Sequence, residues 1–94
     1  MTRDTPPDSA GMHLRLYVAG NAPNSAAAVR NLERVRQELG GPCEVEVVDL
    51  SRTPGRARED GILVTPALVC LSPRRALVLG NLSDTAAVLA ALGR

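Results

Sequence analysis

Residues 62–79 read ILVTPALVCLSPRRALVL, and no other segment is as informative about the fold. Its unbroken apolar run, residues 67–71, lies between turn signals, which is typical of a central strand buried on both faces. The polar connection over residues 72–75 is short and leads into a second apolar run at 76–79. The pattern therefore predicts two antiparallel strands joined as a hairpin.

Upstream of the hairpin, the sequence predicts a strand followed by a helix. Residues 14–18 alternate in the period of a strand, and residues 20–24 form a loop that contains Gly, Asn and Pro. Asn24 or Ser25 is expected to cap a helix whose apolar residues recur at helical spacing. This helix is expected to end at Gly40, because glycine commonly terminates helices.

A second strand and a weak helical turn separate this helix from the hairpin. The Val-rich residues 44–50 predict the strand, and residues 53–60 are weakly helical because Gly55 lies among them. After the hairpin, which Gly80 ends, Ser83 is expected to cap a terminal helix over residues 86–92. Asp84 would complement the dipole of that helix.

The predicted element order is therefore β-α-β-α-β-β-α. A right-handed crossover makes the first two strands parallel, and the hairpin adds an antiparallel pair. This order indicates an α/β domain of the thioredoxin-like fold, with a mixed four-stranded sheet. The domain is expected to cover residues 12–94. Residues 1–11 are expected to form a disordered N-terminal arm, because prolines and small polar residues bury too little surface to become ordered.

Composition excludes several classes of function. The net charge is +1 and Tyr17 is the only aromatic residue, so neither charge nor stacking surface points to nucleic acid. Apolar stretches are too short to span a membrane, and no secretory signal is present, so a cytoplasmic location is expected. No phosphate-binding or dinucleotide-binding fingerprint occurs. No cofactor is expected.

The candidate catalytic residues do not form a reactive arrangement. Residues 21–25, where the first strand meets the first helix, contain no sulfur, and Cys43 and Cys70 form no CxxC motif. Ser25 would need a base, but His13 lies about 20 Å away at ~3.3 Å per strand residue. His13 alone is not a metal site. The chain is therefore expected to be no enzyme, with its two thiols reduced and buried.

Two further features remain open on the residues alone. Thr65-Pro66 precedes the buried strand, where a cis proline is expected to shape the backbone. Several arginines are candidates to converge near one edge of the sheet, as a solvated face or as a partner-binding patch. These arginines are Arg52, Arg56, Arg58, Arg74 and Arg75.

Three blocks of sequence resemble the KaiB family of circadian clock proteins. They are LYVAGNAPNS at 16–25, DGILVTPAL at 60–68 and GNLSD at 80–84, and the resemblance covers about residues 13–92. It implies a non-enzymatic module that binds a KaiC-like hexameric ATPase in a circadian or related signalling system. It also implies a metamorphic chain, with a tetrameric state and a monomeric thioredoxin-like state that differ over residues 51–94.

The resemblance and the expected exposure together suggest two sets of site residues. The expected partner-binding residues are Asn21, Pro23, Asn24, Arg56, Asp60, Arg74 and Arg75. The expected fold-determining residues are Pro66, Gly80, Ser83, Asp84, Ala91 and Gly93.

The chain departs from the switching members of this family at three positions. Asn81 stands where the family commonly has Asp, and Ala91 and Gly93 stand where switching members have Gly and Asp. Alanine favours a helix over glycine by ~0.8–1 kcal/mol, so the thioredoxin-like monomer is expected to be the main state, with the tetramer belonging to the alternative fold. Two other functions stay open: an adaptor docking on a histidine kinase sensor domain or stress-response partner, and a degenerate thiol enzyme, which the missing CxxC disfavours.

Overall fold

The computed structural model describes residues 11–94 and contains a mixed α/β arrangement of seven elements. The elements are β1 (Met12–Val18), α1 (Pro23–Leu39), β2 (Cys43–Asp49), a 3₁₀ segment (Pro54–Glu59), β3 (Ala67–Ser72), β4 (Ala76–Leu79) and α2 (Thr85–Ala91). This order confirms the thioredoxin-like prediction, and the weak second helix is a 3₁₀ turn. The expected disordered arm lies outside the described residues, except for Gly11.

The four strands form one sheet in the order β2-β1-β3-β4. β1 runs parallel to β2, and β3 is antiparallel to both β1 and β4. Residues 67–70 of β3 are all buried, as their apolar run predicts. The hairpin and the parallel crossover through α1 are therefore confirmed.

The two faces of the sheet are covered unequally. On one face, Leu14 and Leu16 of β1 pack in a core with residues of both helices, including Leu32 and Val88. On the other face, a smaller core joins Tyr17 to neighbours from β2, β3 and the chain before β3. We call this second side the open face, because no α-helix of residues 11–94 packs on it.

The N-terminal cap of α1 differs from the prediction. The helix begins at Pro23, with Ala22 as a cap that makes no side-chain hydrogen bond. Proline starts the helix well because its φ is already helical and its missing N–H would be unpaired there. Asn24 and Ser25 therefore lie inside the first turn, and their assignment as caps is wrong. The C-terminal prediction is confirmed, since Gly40 adopts a φ of 71°.

The N-terminal cap of α2 lies one residue later in the chain than predicted. The Asp84 side chain accepts a hydrogen bond from the Ala87 N–H at 3.1 Å, so Asp84 and not Ser83 is the N-cap. The Ser83 N–H instead donates to Asn81 Oδ1 at 3.0 Å. Three polar residues, Asn81, Ser83 and Asp84, lie within four positions before the helix, and the sequence alone does not resolve which of them caps it.

Candidate protein-docking surface

The loop between β1 and α1 is fixed from inside and exposed outside. The buried Ser25 hydroxyl accepts a hydrogen bond from the Ala19 N–H at 3.0 Å. Asp49, the last residue of β2, accepts another from the Gly20 N–H at 2.9 Å. Residues 21–24, which include the predicted site residues Asn21, Pro23 and Asn24, are all exposed. The backbone of this loop is therefore anchored from inside, and the polar side chains of Asn21 and Asn24 are exposed.

A second loop, residues 61–66, lies at the same end of the sheet. β3 begins at Ala67, which pairs with Tyr17 near the end of β1 and with Leu79 at the end of β4. Within this loop, Leu63 is 95% exposed and Val64 is 56% exposed. Two neighbouring apolar side chains that stay in water are informative when they share a site with other exposed groups.

Two of the predicted fold-determining residues, Pro66 and Gly80, hold this loop next to the hairpin. The Thr65-Pro66 bond is cis, as expected, and Pro66 is buried. Its carbonyl accepts a hydrogen bond from the Gly80 N–H at 3.0 Å, and Gly80 has a φ of 105° that favours glycine. The loop is thus held at its C-terminal end, two residues after Val64.

We define the docking end as residues 21–24 together with Leu63, Val64 and Leu79. Leu79 is half-exposed on the open face at the end of β4. The turn after it is anchored to α1, since Asn31 Nδ2 donates to the Asn81 carbonyl at 2.8 Å. The docking end therefore combines the exposed polar side chains of Asn21 and Asn24 with exposed apolar side chains, on loops that hydrogen bonds anchor.

A cluster of charged side chains lies on the open face, centred on a buried carboxylate. The side chain of Asp60 is 3% exposed. Its Oδ2 accepts hydrogen bonds from the Tyr17 hydroxyl at 2.6 Å and from Arg15 Nη1 at 2.9 Å. Its Oδ1 accepts one from Arg75 Nη2 at 3.0 Å. We call these four residues the Asp60 cluster.

The electrostatics of the Asp60 cluster keep its carboxylate charged. Burial raises the pKa of Asp60, but hydrogen bonds from Tyr17, Arg75 and Arg15 outweigh it and hold the pKa below its ordinary value. Burial, joined by the hydrogen bond to Asp60, raises the pKa of the Tyr17 phenol. An ionised carboxylate and a neutral phenol are therefore the resting forms at neutral pH.

The arginines predicted to converge separate into groups. Arg75 joins the Asp60 cluster, and Arg56 lies beside it, paired with Glu46 at 2.8 Å and with Glu59 at 2.8 Å. Arg74 lies at the far end of the molecule, where it lines a groove with Gly93. Within residues 11–94, Arg52 and Arg58 are exposed and form no ion pair.

Sequence reasoning missed Arg15 and Tyr17 as site residues. Their signal was the alternation of β1, which places both on the face opposite Leu14 and Leu16. The exposure of Leu63 was also missed, because an apolar residue just before a buried strand reads as part of the core.

The surroundings of both thiols disfavour the thiolate, but Cys43 is only half-buried, so the prediction that both thiols are buried is wrong for Cys43. Both cysteines are free, and Cys70 is buried with its thiol donating to the Ser72 carbonyl at 3.2 Å. Burial raises the pKa of both Cys43 and Cys70, which disfavours the nucleophilic thiolate. The described residues hold no group of three or more His, Cys, Asp or Glu side chains placed to bind a metal ion. No helix among them is long and apolar enough to cross a membrane.

Comparison with known proteins gives consistent matches. The KaiB domain family model matches residues 15–93. The chain is 42% identical to the circadian clock protein KaiB3 of Synechocystis, over 84% of this chain and 79% of that protein. It is 43% identical to the circadian clock oscillator protein KaiB of Nostoc punctiforme, over 84% of this chain and 78% of that protein.

Solved structures with the same fold also match. The N-terminal domain of Synechococcus elongatus SasA superposes with a TM-score of 0.68 at 26% identity, covering 84% of this chain and 78% of that chain. The thioredoxin Deadhead of Drosophila melanogaster has a TM-score of 0.70 at 13% identity, covering 89% of this chain and 80% of that chain. The second match supports the fold alone.

Proposed function

Because the chain belongs to the KaiB family, we propose that it is a non-enzymatic module that docks on a KaiC-like hexameric ATPase. Docking would modulate a circadian or related signalling system. The observation that carries the proposal is the docking end, where Leu63 and Val64 are exposed at the same end of the sheet as the exposed residues 21–24.

The chemistry of the docking end favours binding over catalysis. Redox proteins of this fold place their reactive thiols where β1 meets α1, but residues 21–25 hold no sulfur here. The Ser25 hydroxyl is buried and accepts the Ala19 N–H, so it serves the loop's structure. These features argue against the degenerate thiol enzyme.

The form of the docking end suits a protein partner. The buried core of a protein interface is apolar and its rim is polar, and a few residues carry most of the affinity. Leu63 and Val64 would be the anchors, and Asn21 and Asn24 would supply the surrounding hydrogen bonds. Arg74 and Arg75 lie toward the other end of β4, so they would serve a second contact.

The thioredoxin-like state would be the binding state. Ala91 is the last residue of α2, and Gly93 has a φ of 85° just beyond it. A glycine with positive φ after a helix is a common helix stop, so this end of the chain suits a helix. We infer a preformed monomeric binder. A free tetramer in which residues 83–92 are not helical would contradict this inference.

A binding titration tests the proposed contact. Leu63→Ser is expected to weaken binding to the source organism's KaiC-like ATPase by about tenfold or more, because it removes an apolar anchor. Val47→Ser is the matched control, since Val47 is 50% exposed on the edge strand β2. Equal affinity of both variants and wild type would contradict the assignment of the docking end.

A second candidate is docking on a histidine kinase sensor domain. The observation that favours it is the likeness to the N-terminal domain of SasA, with a TM-score of 0.68 at 26% identity. Measured binding to a kinase sensor domain, together with no binding to the ATPase, would select this candidate.

A further inference from the structure

The chain just before the loop of residues 61–66 is attached to the sheet largely by charged groups. The 3₁₀ segment Pro54–Glu59 has no buried residue and no side-chain cap. Ala57 is half-buried against the smaller core, and the next fully apolar anchor is Ile62. Between them, Asp60 is the C-cap of the segment, and its carboxylate accepts three side-chain hydrogen bonds.

Asp60 ties this segment to strand β1 and to the turn before β4. Arg15 and Tyr17 reach its Oδ2 from β1, at the centre of the sheet. Arg75 reaches its Oδ1 from the turn before β4. Since hydrogen bonds to charged groups are stronger than neutral ones, a carboxylate held by three donors fixes the position of its own backbone.

This fixed position is passed to the exposed apolar pair through a short tight turn. Gly61 adopts a φ of 66°, and the Ile62 N–H donates to the Ala57 carbonyl at 2.8 Å. Leu63 and Val64 follow immediately, and the loop is held again at Pro66 by the Gly80 N–H. The pair therefore lies between two anchors, one of which is the Asp60 cluster.

We propose that Asp60 is a positioning residue for docking: through the Asp60 cluster it holds Leu63 and Val64 in the geometry that a protein partner binds. The proposal rests on the proposed function. It replaces the expectation that Asp60 contacts the partner, because a side chain buried to this degree has no free surface to offer. A loop ordered before binding loses less conformational entropy on docking, so binding is tighter.

Hydrogen exchange in the free protein tests the positioning itself. In Asp60→Asn, the amide of Ile62 is expected to exchange about tenfold faster than in wild type, while the amide of Leu16 in the central strand changes much less. Glu59→Gln is the matched control, because Glu59 also contacts Arg15 and Arg56 but is largely exposed. Equal acceleration at Ile62 and Leu16 would indicate general destabilisation and would overturn the proposal.

A double-mutant cycle tests whether Asp60 acts through the exposed pair. Asp60→Asn alone is expected to weaken binding to the KaiC-like ATPase about tenfold, and to weaken it little further when Leu63→Ser is already present. Independent, additive losses would overturn the proposal. Tyr17→Phe, which keeps the carboxylate and removes one donor, is expected to show the same pattern with a smaller loss. If wild type does not bind the ATPase, the proposed function fails, and the exchange comparison still decides whether Asp60 positions the loop.

Discussion

Asp60 carries its charge among two guanidinium groups and one phenol, and this arrangement makes stability depend on pH. Its folded pKa lies below the unfolded value of ~3.9, so its contribution to the free energy of unfolding is complete above that value. The contribution is lost as pH falls through the lower, folded pKa. We expect the stability difference between wild type and Asp60→Asn to be large at neutral pH and to shrink below about pH 4. Urea unfolding at several pH values measures it, and a constant difference would contradict the account.

Tyr17 offers a direct spectroscopic reading of the same cluster. It is the only aromatic residue of the chain, so an ultraviolet titration of phenolate reports on it alone. Burial and the hydrogen bond to Asp60 raise its pKa, so phenolate is expected to form above the ordinary value of ~10. In Asp60→Asn the titration should move down toward the ordinary value. An ordinary pKa in the wild type would mean that the phenol is not held by Asp60.

Among the elements, α2 is the one whose helix propensity bears on the thioredoxin-like state that we propose as the binding state. Ala91 is exposed at the end of this helix, so Ala91→Gly is expected to lower the free energy of unfolding by at most ~1 kcal/mol. Ala90→Gly, one residue further inside, is the matched control and should cost at least as much. Urea unfolding with far-ultraviolet circular dichroism measures both. A larger loss at position 91 than at position 90 would show that Ala91 acts beyond helix propensity.

The strands and α1 could be predicted from the sequence because their signals are local. The apolar run of β3 and the alternation of β1 report burial directly, and Gly40 marks a helix end by its own backbone preference. The caps failed for a local reason too: Pro23 starts α1 before Asn24, and Asp84 takes the cap from Ser83. Neighbouring residues of similar capping ability leave such boundaries unresolved.

The Asp60 cluster could not be predicted, because it is a property of the folded molecule. It joins Asp60 to Arg15 and Tyr17 of β1, which lie 45 and 43 positions earlier in the sequence. No local pattern encodes such a contact, and the same acidic residue reads from sequence as an exposed binding group. The partner-binding role of Asn21, Pro23 and Asn24 stays a prediction from the loop after β1, and the structure adds only that these residues are exposed. The exposure of Leu63 is a property of the folded chain that no local pattern reports.

At the level of the whole molecule, the resting oligomer separates the two states that the family resemblance implies. Gly93→Asp together with Ala91→Gly restores the residues of switching members. Aspartate at 93 would also strain a backbone with a φ of 85° and place its Cβ 3.1 Å from Arg74 Nη2. We expect this double variant to shift part of the protein from monomer to tetramer, as measured by analytical ultracentrifugation. An unchanged monomer that stays fully helical at α2 would show that these two positions do not set the balance.

Size-exclusion chromatography with light scattering, on this protein alone and with the source organism's KaiC-like ATPase plus nucleotide, tests the preformed monomeric binder. We expect a free monomer of 9.9 kDa that joins the ATPase without a slow phase. A free tetramer that binds slowly would contradict the preformed monomer. No association in either form would contradict the proposed function.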